Sequence, residues 1–327
     1  MHDSIRRLAR SAWALAFAAL AFSSHAADTV EGPIRLVVGF PPGGGADYVA
    51  RQTARYLTQE LGQSVVVENK PGANGIIAAT EVARAAPDGR TLLMGVTATQ
   101  SINPNVYSKL PYDPVKDFTP ITNVGFTPLV LVVSPSLPVK TVPDFIRYVK
   151  QHEGPVYFAS AGNGNITHMA AELFMISTGT TKMSHVPYKG SSPAITDLLG
   201  GRVSAYFDTL PSSMPFIRSG QLHALGVTSA QRASALPDLP TIREQGVKGY
   251  EATNWFGLFG PAKLSPETTQ RLYQALHRAL SAPEARQVMA NQGVEVDTNT
   301  PQQFSTMLKA DLSRWHTVTT EANIKLD

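Results

Sequence analysis

Between residues 34 and 67 the apolar residues change their spacing twice. Ile34–Val38 is a short continuous run, Ala50, Ala54, Leu57 and Leu61 recur at intervals of four, three and four, and Val65–Val67 is a run again. A run, a helical period and a second run predict strand, helix, strand. The unit repeats through a helix after Asn74-Gly75, a turn at Pro87-Asp88-Gly89 and a strand at Thr91–Gly95. A βαβαβ series of this kind favours a parallel sheet with right-handed crossovers.

Pro-rich connections are expected from Asn103 to Pro128, followed by a second alternating series. Leu129–Val133, Val156–Ala159, Met183–Val186 and Val203–Phe207 read as strands, with helices over Pro143–Val149, Ile166–Ser177 and Ala194–Leu199. A further helix and strand end near Val227. Arg232–Pro240 is a proline-punctuated loop, and helices open at Ser265-Pro266-Glu267 and Thr300-Pro301. The last block has no closed βαβ unit of its own, so it is expected to return and complete the first domain. The fold class is α/β: two lobes joined by two crossings, with parallel-rich sheets flanked by helices. Residues 27–127 plus 250–327 are expected to form the first lobe and 128–249 the second.

The N-terminus reads as an address. Arg6, Arg7 and Arg10 precede an apolar stretch of eleven residues, Ala12–Phe22, and Ser24-His25-Ala26 offers small residues where a signal peptidase cuts, so residues 1–26 are expected to be a signal peptide. Eleven residues are too few to span about 30 Å of hydrocarbon as a helix, and the mature chain is expected to be soluble, without membrane insertion. Setting aside Arg6, Arg7, Arg10 and Asp3 brings the formal charge from +3 to +1, which argues against a nucleic-acid partner. Cysteine is absent, which excludes disulfides and thiol chemistry and leaves stability to the cores.

Chemistry concentrates in glycine loops between strands and helices. Phe40-Pro41-Pro42-Gly43-Gly44-Gly45-Ala46-Asp47 has three successive glycines at a helix start, where bare N–H groups can face a carboxylate or phosphate. A plain tight turn reads equally well. The charge of Asp47 would compete with an anion, so bracing the loop is its expected role. Lys70-Pro71-Gly72-Ala73-Asn74-Gly75 is a second such loop at an equivalent position, and parallel strands send both to one sheet edge. Thr97-Ala98-Thr99-Gln100 follows the next strand and either brings hydroxyls to that edge or forms a satisfied polar turn.

In the second series Ser160-Ala161-Gly162-Asn163-Gly164-Asn165 precedes the helix bearing His168. Gly162-x-Gly164 begins a dinucleotide fingerprint, but Thr167 stands where its third glycine belongs and no ribose-binding acid is evident, so the loop reads as another anion- or hydroxyl-binding helix start. His168 is a ligand contact or a structural helix histidine. Asp208, at a strand end, faces the cleft or caps the next helix. Trp255, Phe256 and Phe259 read as core.

Catalytic and metal signatures do not occur. There is no G-x-S-x-G, no G-x-x-x-x-G-K-[ST] and no H-E-x-x-H, and the histidines at 152, 168, 185, 223, 277 and 316 include no i,i+4 pair. Neither catalysis nor a cofactor is expected.

Four segments resemble the Bug receptors, the extracytoplasmic solute receptors of tripartite tricarboxylate transporters. They are Ile34–Gly44, Glu68–Gly75, His185–Gly190 and Leu236–Thr241, in the same order, with the resemblance running from about residue 30 to the C-terminus. The resemblance implies a two-lobed, type II-like periplasmic binding protein. It also implies that the two glycine loops of the first lobe grip a ligand carboxylate while the second lobe selects the ligand. The expected contacts are Phe40, Gly43, Gly44, Gly45, Asp47, Ala73, Asn74, Gly75, Thr97, Ser160, Gly164, Asn165, His168 and Asp208. Family members often carry a hydroxyl residue near the position of Asn165, which changes what the second lobe can read. The implied partners are a small carboxylate and, transiently, membrane transporter subunits, for a monomeric receptor in the periplasm. A sensor for a signalling partner and a periplasmic enzyme are the alternatives from other classes.

Overall fold

Strand β1 (Ile34–Val38) is apolar on both faces and lies between β2 (Val65–Asn69) and β3 (Thr91–Val96), parallel to each. Helix α1 (Gly45–Leu61) crosses from β1 to β2 and stops at Gly62, whose φ of 64° lets its N–H reach back to the Thr58 carbonyl. Helix α2 (Ile76–Ala83) makes the second crossover. The structure, a computed structural model, describes residues 32–321 and 323–326. The expected signal peptide at 1–26 lies outside the described residues.

After β3 the chain turns through π-helical Ala98–Ile102 into the short α3 (Asn103–Val106), then enters β4 (Phe118–Val133). Part of the expected proline-rich connection, Phe118 to Pro128, is therefore strand. Its prolines fall where a sheet tolerates a missing N–H: the register shifts beside Pro120, and Pro128 stands where β4 changes partners. Up to Pro128, β4 runs antiparallel to β9 (Thr253–Pro261), with β10 (Glu295–Val296) alongside. From Leu129 onward it runs antiparallel to β7 (Ala205–Thr209) and β8 (His223–Val227).

The second half of the sheet adds β5 (Val156–Ser160) and β6 (Met183–Pro187), parallel to one another, with β5 parallel to β7. Helices α4 (Val142–Gln151), α5 (Ile166–Thr178), α6 (Ser191–Leu199) and α7 (Leu210–Arg218) connect these strands. The order β2-β1-β3-β9-β4-β7-β5-β6 makes one mixed sheet of ten strands among the described residues, β8 and β10 pairing with β4. Chain and sheet pass from one half to the other at Pro128–Leu129, and the chain returns at Ala252–Thr253, where β9 begins.

Helices α8 (Pro266–Ser281), α9 (Pro283–Ala290) and α10 (Pro301–Glu321) complete the fold. Leu272, Leu276 and Met289 join the core of β1 and α1. Helix α10 serves both halves, since Phe304 and Leu308 pack with Val37 and Phe259 while Trp315 packs with Phe145 and Phe174. Trp255, Phe256 and Phe259 are buried as expected. Strand β9 admits α10 closely only because residue 257 has no side chain: a Cβ there would lie 2.1 Å from Phe304 Cζ. Gly257→Ala should therefore destabilise the protein by about 1–3 kcal/mol through overpacking, measured as a fall in the urea midpoint at unchanged m.

Candidate functional site

The loop from β1 to α1 is braced from beneath. Asp47, in the first turn of α1 and buried, accepts the Gly43 N–H (3.1 Å), Arg51 Nε (2.9 Å) and Asn69 Nδ2 (3.0 Å), and Asn69 also donates to the Phe40 carbonyl (3.0 Å). Burial pushes the Asp47 carboxyl up, but the hydrogen bonds from Arg51, Gly43 and Asn69 outweigh it and hold the group below its ordinary value. The carboxylate thus ties the loop to the end of β2.

The second glycine loop is shaped by four successive residues in left-handed conformations, with φ of 143°, 45°, 52° and 86° from Gly72 to Gly75. The two loops meet backbone to backbone, since a Cβ on Gly39 would lie 2.6 Å from Gly75 Cα, and one on Gly75 would lie 2.2 Å from Thr99 Cγ2. Asn74 Nδ2 donates to Asn103 Oδ1 (2.8 Å), Asn103 Nδ2 donates to the Asn74 carbonyl (3.1 Å), and Asn165 Nδ2, from the other half of the sheet, donates to Asn74 Oδ1 (3.3 Å).

Facing these loops, the turn after β5 is held by side chains behind it. Ser160 Oγ lies 2.6 Å from His185 Nε2 and accepts the Gly162 N–H, while Thr167 Oγ1 accepts the Ala161 N–H (2.8 Å). Asn165 caps α5 by accepting the Thr167 N–H (3.1 Å). His168 Nδ1 accepts the Gly164 N–H (3.2 Å), and its ring stacks on His185 with centroids 3.8 Å apart. Burial, reinforced by neighbouring His168, pushes His185 down to about 3, so it is neutral at ordinary pH.

The loops enclose two adjoining chambers. The inner, about 230 Å³, is walled by Phe40–Pro42, Gly44–Ala46, Val96, Ala98, Ala161, Asn165–Thr167, Lys189–Pro193, Thr209 and Asn254. Four helix N-termini therefore open into it: α1 at Gly44–Ala46, α5 at Asn165–Thr167, α6 at Gly190–Ser192, and α7 through its N-cap Thr209. N–H groups of a first helical turn have no partner within the helix, and each terminus carries about half a positive charge, so the chamber attracts an anion. The outer chamber, about 610 Å³, shares Phe40, Pro41, Ala161, Lys189 and Gly190 and adds Gly72–Asn74, Tyr107, Gly162, Asn163 and Tyr188. Lys189 carries the one formal charge among the described residues lining the two.

Phe40, Gly44, Gly45 and Asn165 line the inner chamber, and Ala73 and Asn74 the outer. Gly43 is exposed and lines neither chamber, and Asp47, Gly75, Thr97, Ser160, Gly164, His168 and Asp208 are buried behind the walls. Thr97 Oγ1 accepts the Trp255 N–H (3.0 Å). Asp208 is fully buried and accepts Ser191 Oγ (2.9 Å) and Ser213 Oγ (2.7 Å); burial drives its carboxyl up to about 6 against those hydrogen bonds. Sequence reasoning missed Lys189–Pro193, Thr209 and Asn254. The first had a usable signal, for Gly190 stands between a strand and a helix as Gly44 does. Thr209 and Asn254 lie in strands and carried none.

Fold and site together define a two-lobed solute-binding protein of the periplasmic type. The chain belongs to the tripartite tricarboxylate transporter family of receptors, to which the Bug proteins belong: the family described as "Tripartite tricarboxylate transporter family receptor" matches residues 49–324. Protein BugT of Bordetella pertussis (strain Tohama I) is 37% identical over 295 residues, 90% of each chain. Among solved structures, R. palustris Rpa4515 with adipate is 36% identical with a TM-score of 0.87, covering 90% of this chain and 98% of its own. MatC from Rhodopseudomonas palustris with bound malate is 32% identical with a TM-score of 0.82, covering 88% and 99%.

The two glycine loops should respond differently to bulk. Gly44 has φ −87° and room for a side chain, its Cβ meeting nothing nearer than the Pro41 carbonyl at 3.9 Å, so Gly44→Val should stay within about 0.5 kcal/mol of wild-type stability while filling the inner chamber. Gly75→Val should cost about 1–3 kcal/mol, because φ is positive and Thr99 occupies the space. Calorimetry of both variants separates the roles.

Asp208 makes stability depend on pH in a defined direction. A carboxyl with a folded pKa of about 6 and an ordinary value of 3.8 binds its proton more tightly when folded. Its contribution is complete below about pH 4, is lost as pH rises through about 6, and totals about 3 kcal/mol. Asp208→Asn should remove that component, so the difference in stability between pH 4 and pH 7 shifts by this amount relative to wild type in urea titrations. Identical pH profiles would refute the assignment.

Proposed function

We propose that the protein is a periplasmic receptor that captures a small carboxylic acid in the cleft between its lobes, returns it unchanged, and delivers it to the membrane subunits of a tripartite transporter. The lobes are taken as 27–127 plus 250–327 and as 128–249, the N-terminal 26 residues as the secretory address, and the receptor as a monomer. One observation carries the reading: four helix N-termini open into a chamber whose lining holds no acidic side chain. Such a chamber supplies hydrogen-bond donors and positive potential without requiring an arginine. The adipate and malate of the two related structures support a carboxylate as the ligand class. Family membership supports the transport partnership.

The site contacts on this reading are Phe40, Gly44, Gly45 and Asn165 around the carboxylate, with Ala73 and Asn74 beyond. Gly43, Asp47, Gly75, Ser160, Gly164 and His168 hold the loops, and Thr97 and Asp208 hold the floor. The hydrogen bond from Asn165 to Asn74 joins the lobes across the cleft, so contacts made only when the lobes close are what a ligand uses to shift the equilibrium towards closure.

The test is a thermal-shift screen of short carboxylic acids against the neutral amides of the same acids. An acid at a hundredfold excess over its Kd should add about 2.7 kcal/mol to stability, and its amide should add nothing. A protein stabilised by amides or sugars and by no acid would refute the carboxylate reading.

A further inference from the structure

Beyond α10 the chain turns back on itself. The Asn323 N–H donates to the Thr320 carbonyl (3.1 Å) and the Ile324 N–H to the Thr319 carbonyl (2.9 Å), and Asn323 has a φ of 51°: these are the paired bonds and the left-handed residue that close a helix. Ile324 and Leu326 then alternate with exposed Lys325, and both apolar side chains pack on the core that holds Val106, Ile166 and Trp315. The Leu326 N–H donates to the Val106 carbonyl (2.7 Å). Its side chain reaches the turn after β5, since a Cβ on Gly164 would lie 2.6 Å from Leu326 Cδ1, 3.4 Å from Val106 Cγ2 and 3.7 Å from Asn74 Nδ2. Leu326, Val106 and Asn74 thus close around the bare backbone of Gly164.

The residue after Gly164 belongs to the chamber. Asn165 caps α5, whose first turn is one of the four that open into the inner chamber, and its amide donates to Asn74 Oδ1 across the cleft (3.3 Å). Val106 is tied to the same place, because Tyr107 beside it lines the outer chamber and Asn103 exchanges hydrogen bonds with Asn74 (2.8 and 3.1 Å). Neither Ile324 nor Leu326 lines a chamber, and Leu326 lies outside the residues that the family match covers, 49–324. We propose, resting on the reading of this cleft as the ligand site, that Leu326 is a positioning residue: it wedges the turn after β5 against Val106 and Asn74, so that an anion meets the N–H groups of α5 already in place. Backbone donors fixed beforehand bind more tightly, because ordering a loop on binding subtracts from affinity.

Hydrogen exchange of the unliganded protein, and isothermal titration calorimetry with adipate and malate, the acids of the two related structures, test this on wild type and variants. Leu326→Ala should speed exchange of the amides of residues 162–168 severalfold. The first turn of α1, which opens into the same chamber from the other half, should exchange as in wild type. The same variant should weaken the better-bound acid by about two- to thirtyfold, the range in which residues without ligand contact alter binding. Leu326→Met should restore both readouts, and Lys325→Ala should change neither. Unchanged exchange at 162–168, faster exchange spread evenly over both halves, or an acid Kd unchanged in Leu326→Ala would each overturn the role of Leu326 and leave the carboxylate reading standing. Failure of every acid in the thermal-shift screen would instead overturn that reading, and the exchange comparison would still decide whether Leu326 holds the turn.

Discussion

Strand β4 exchanges its hydrogen-bonding partners at Pro128, from β9 and β10 to β7 and β8, and that exchange fixes where the cleft lies. One strand is shared by both halves of the sheet, so the C-terminal ends of β1 and β2 are set opposite those of β5, β6 and β7. β7 runs directly into α7 and the others lead through short loops into helices, and ligand sites of α/β sheets form outside the carboxyl ends of strands. The convergence of four helix N-termini follows from topology, and the carboxyls beside them, Asp47 in the first turn of α1 and Asp208 before the N-cap of α7, hold backbone and serine hydroxyls and line neither chamber. What the sequence must supply is backbone that can approach, which is why Gly39 and Gly75 touch and why the cleft-lining turns are rich in glycine.

The charged groups near the cleft serve that backbone. Asp47 and Asp208 are both buried at a junction of strand and helix, yet one is held below its ordinary pKa and the other pushed above it. The difference lies in the donors. Arg51 gives Asp47 a full positive charge at 2.9 Å, whereas Asp208 receives serine hydroxyls, which are neutral and offset desolvation only in part. His185, whose ring stacks on that of His168 with centroids 3.8 Å apart, shows the same rule from the basic side: burial first and the neighbouring ring second hold it neutral.

Much of this was legible in the sequence because strand, glycine turn and helix leave separate marks there: a run, a gap in side chains, and a 3.6-residue period. The loops at Phe40–Asp47, Lys70–Gly75 and Ser160–Asn165 are legible in that way, and each contributes some of its residues to a chamber wall. Two kinds of information were not legible. A local pattern names a loop but not the side of the wall on which each side chain falls; Ser160 and His168 lie within residues of the cleft and turn away from it to hold Gly162 and Gly164. Long-range pairing has no local mark either. Phe118–Pro128 contains two prolines and reads as a connection, and only pairing with β9, more than a hundred residues later, makes it a strand.

The same distinction between local and long-range information bears on how a wall without strong charges can discriminate among acids. Helix N-termini attract any carboxylate, and a backbone N–H offers no size or charge filter beyond its position. Discrimination has to come from what stands next to the anion site and from which half supplies it. Asn165 and Lys189 reach the chambers from the second half, Gly44 and Asn74 from the first, so the ligand is read by groups brought together only through the shared strand β4. A side chain changed in the second half can then alter which acid is preferred while the glycine loops of the first half, braced by Asp47 and Asn69 from behind, keep their geometry. Because the bracing groups do not line the cleft, the anion site and the selecting side chains can vary independently, as far as the positive-φ turn at Gly72–Gly75 and the Gly39 contact allow.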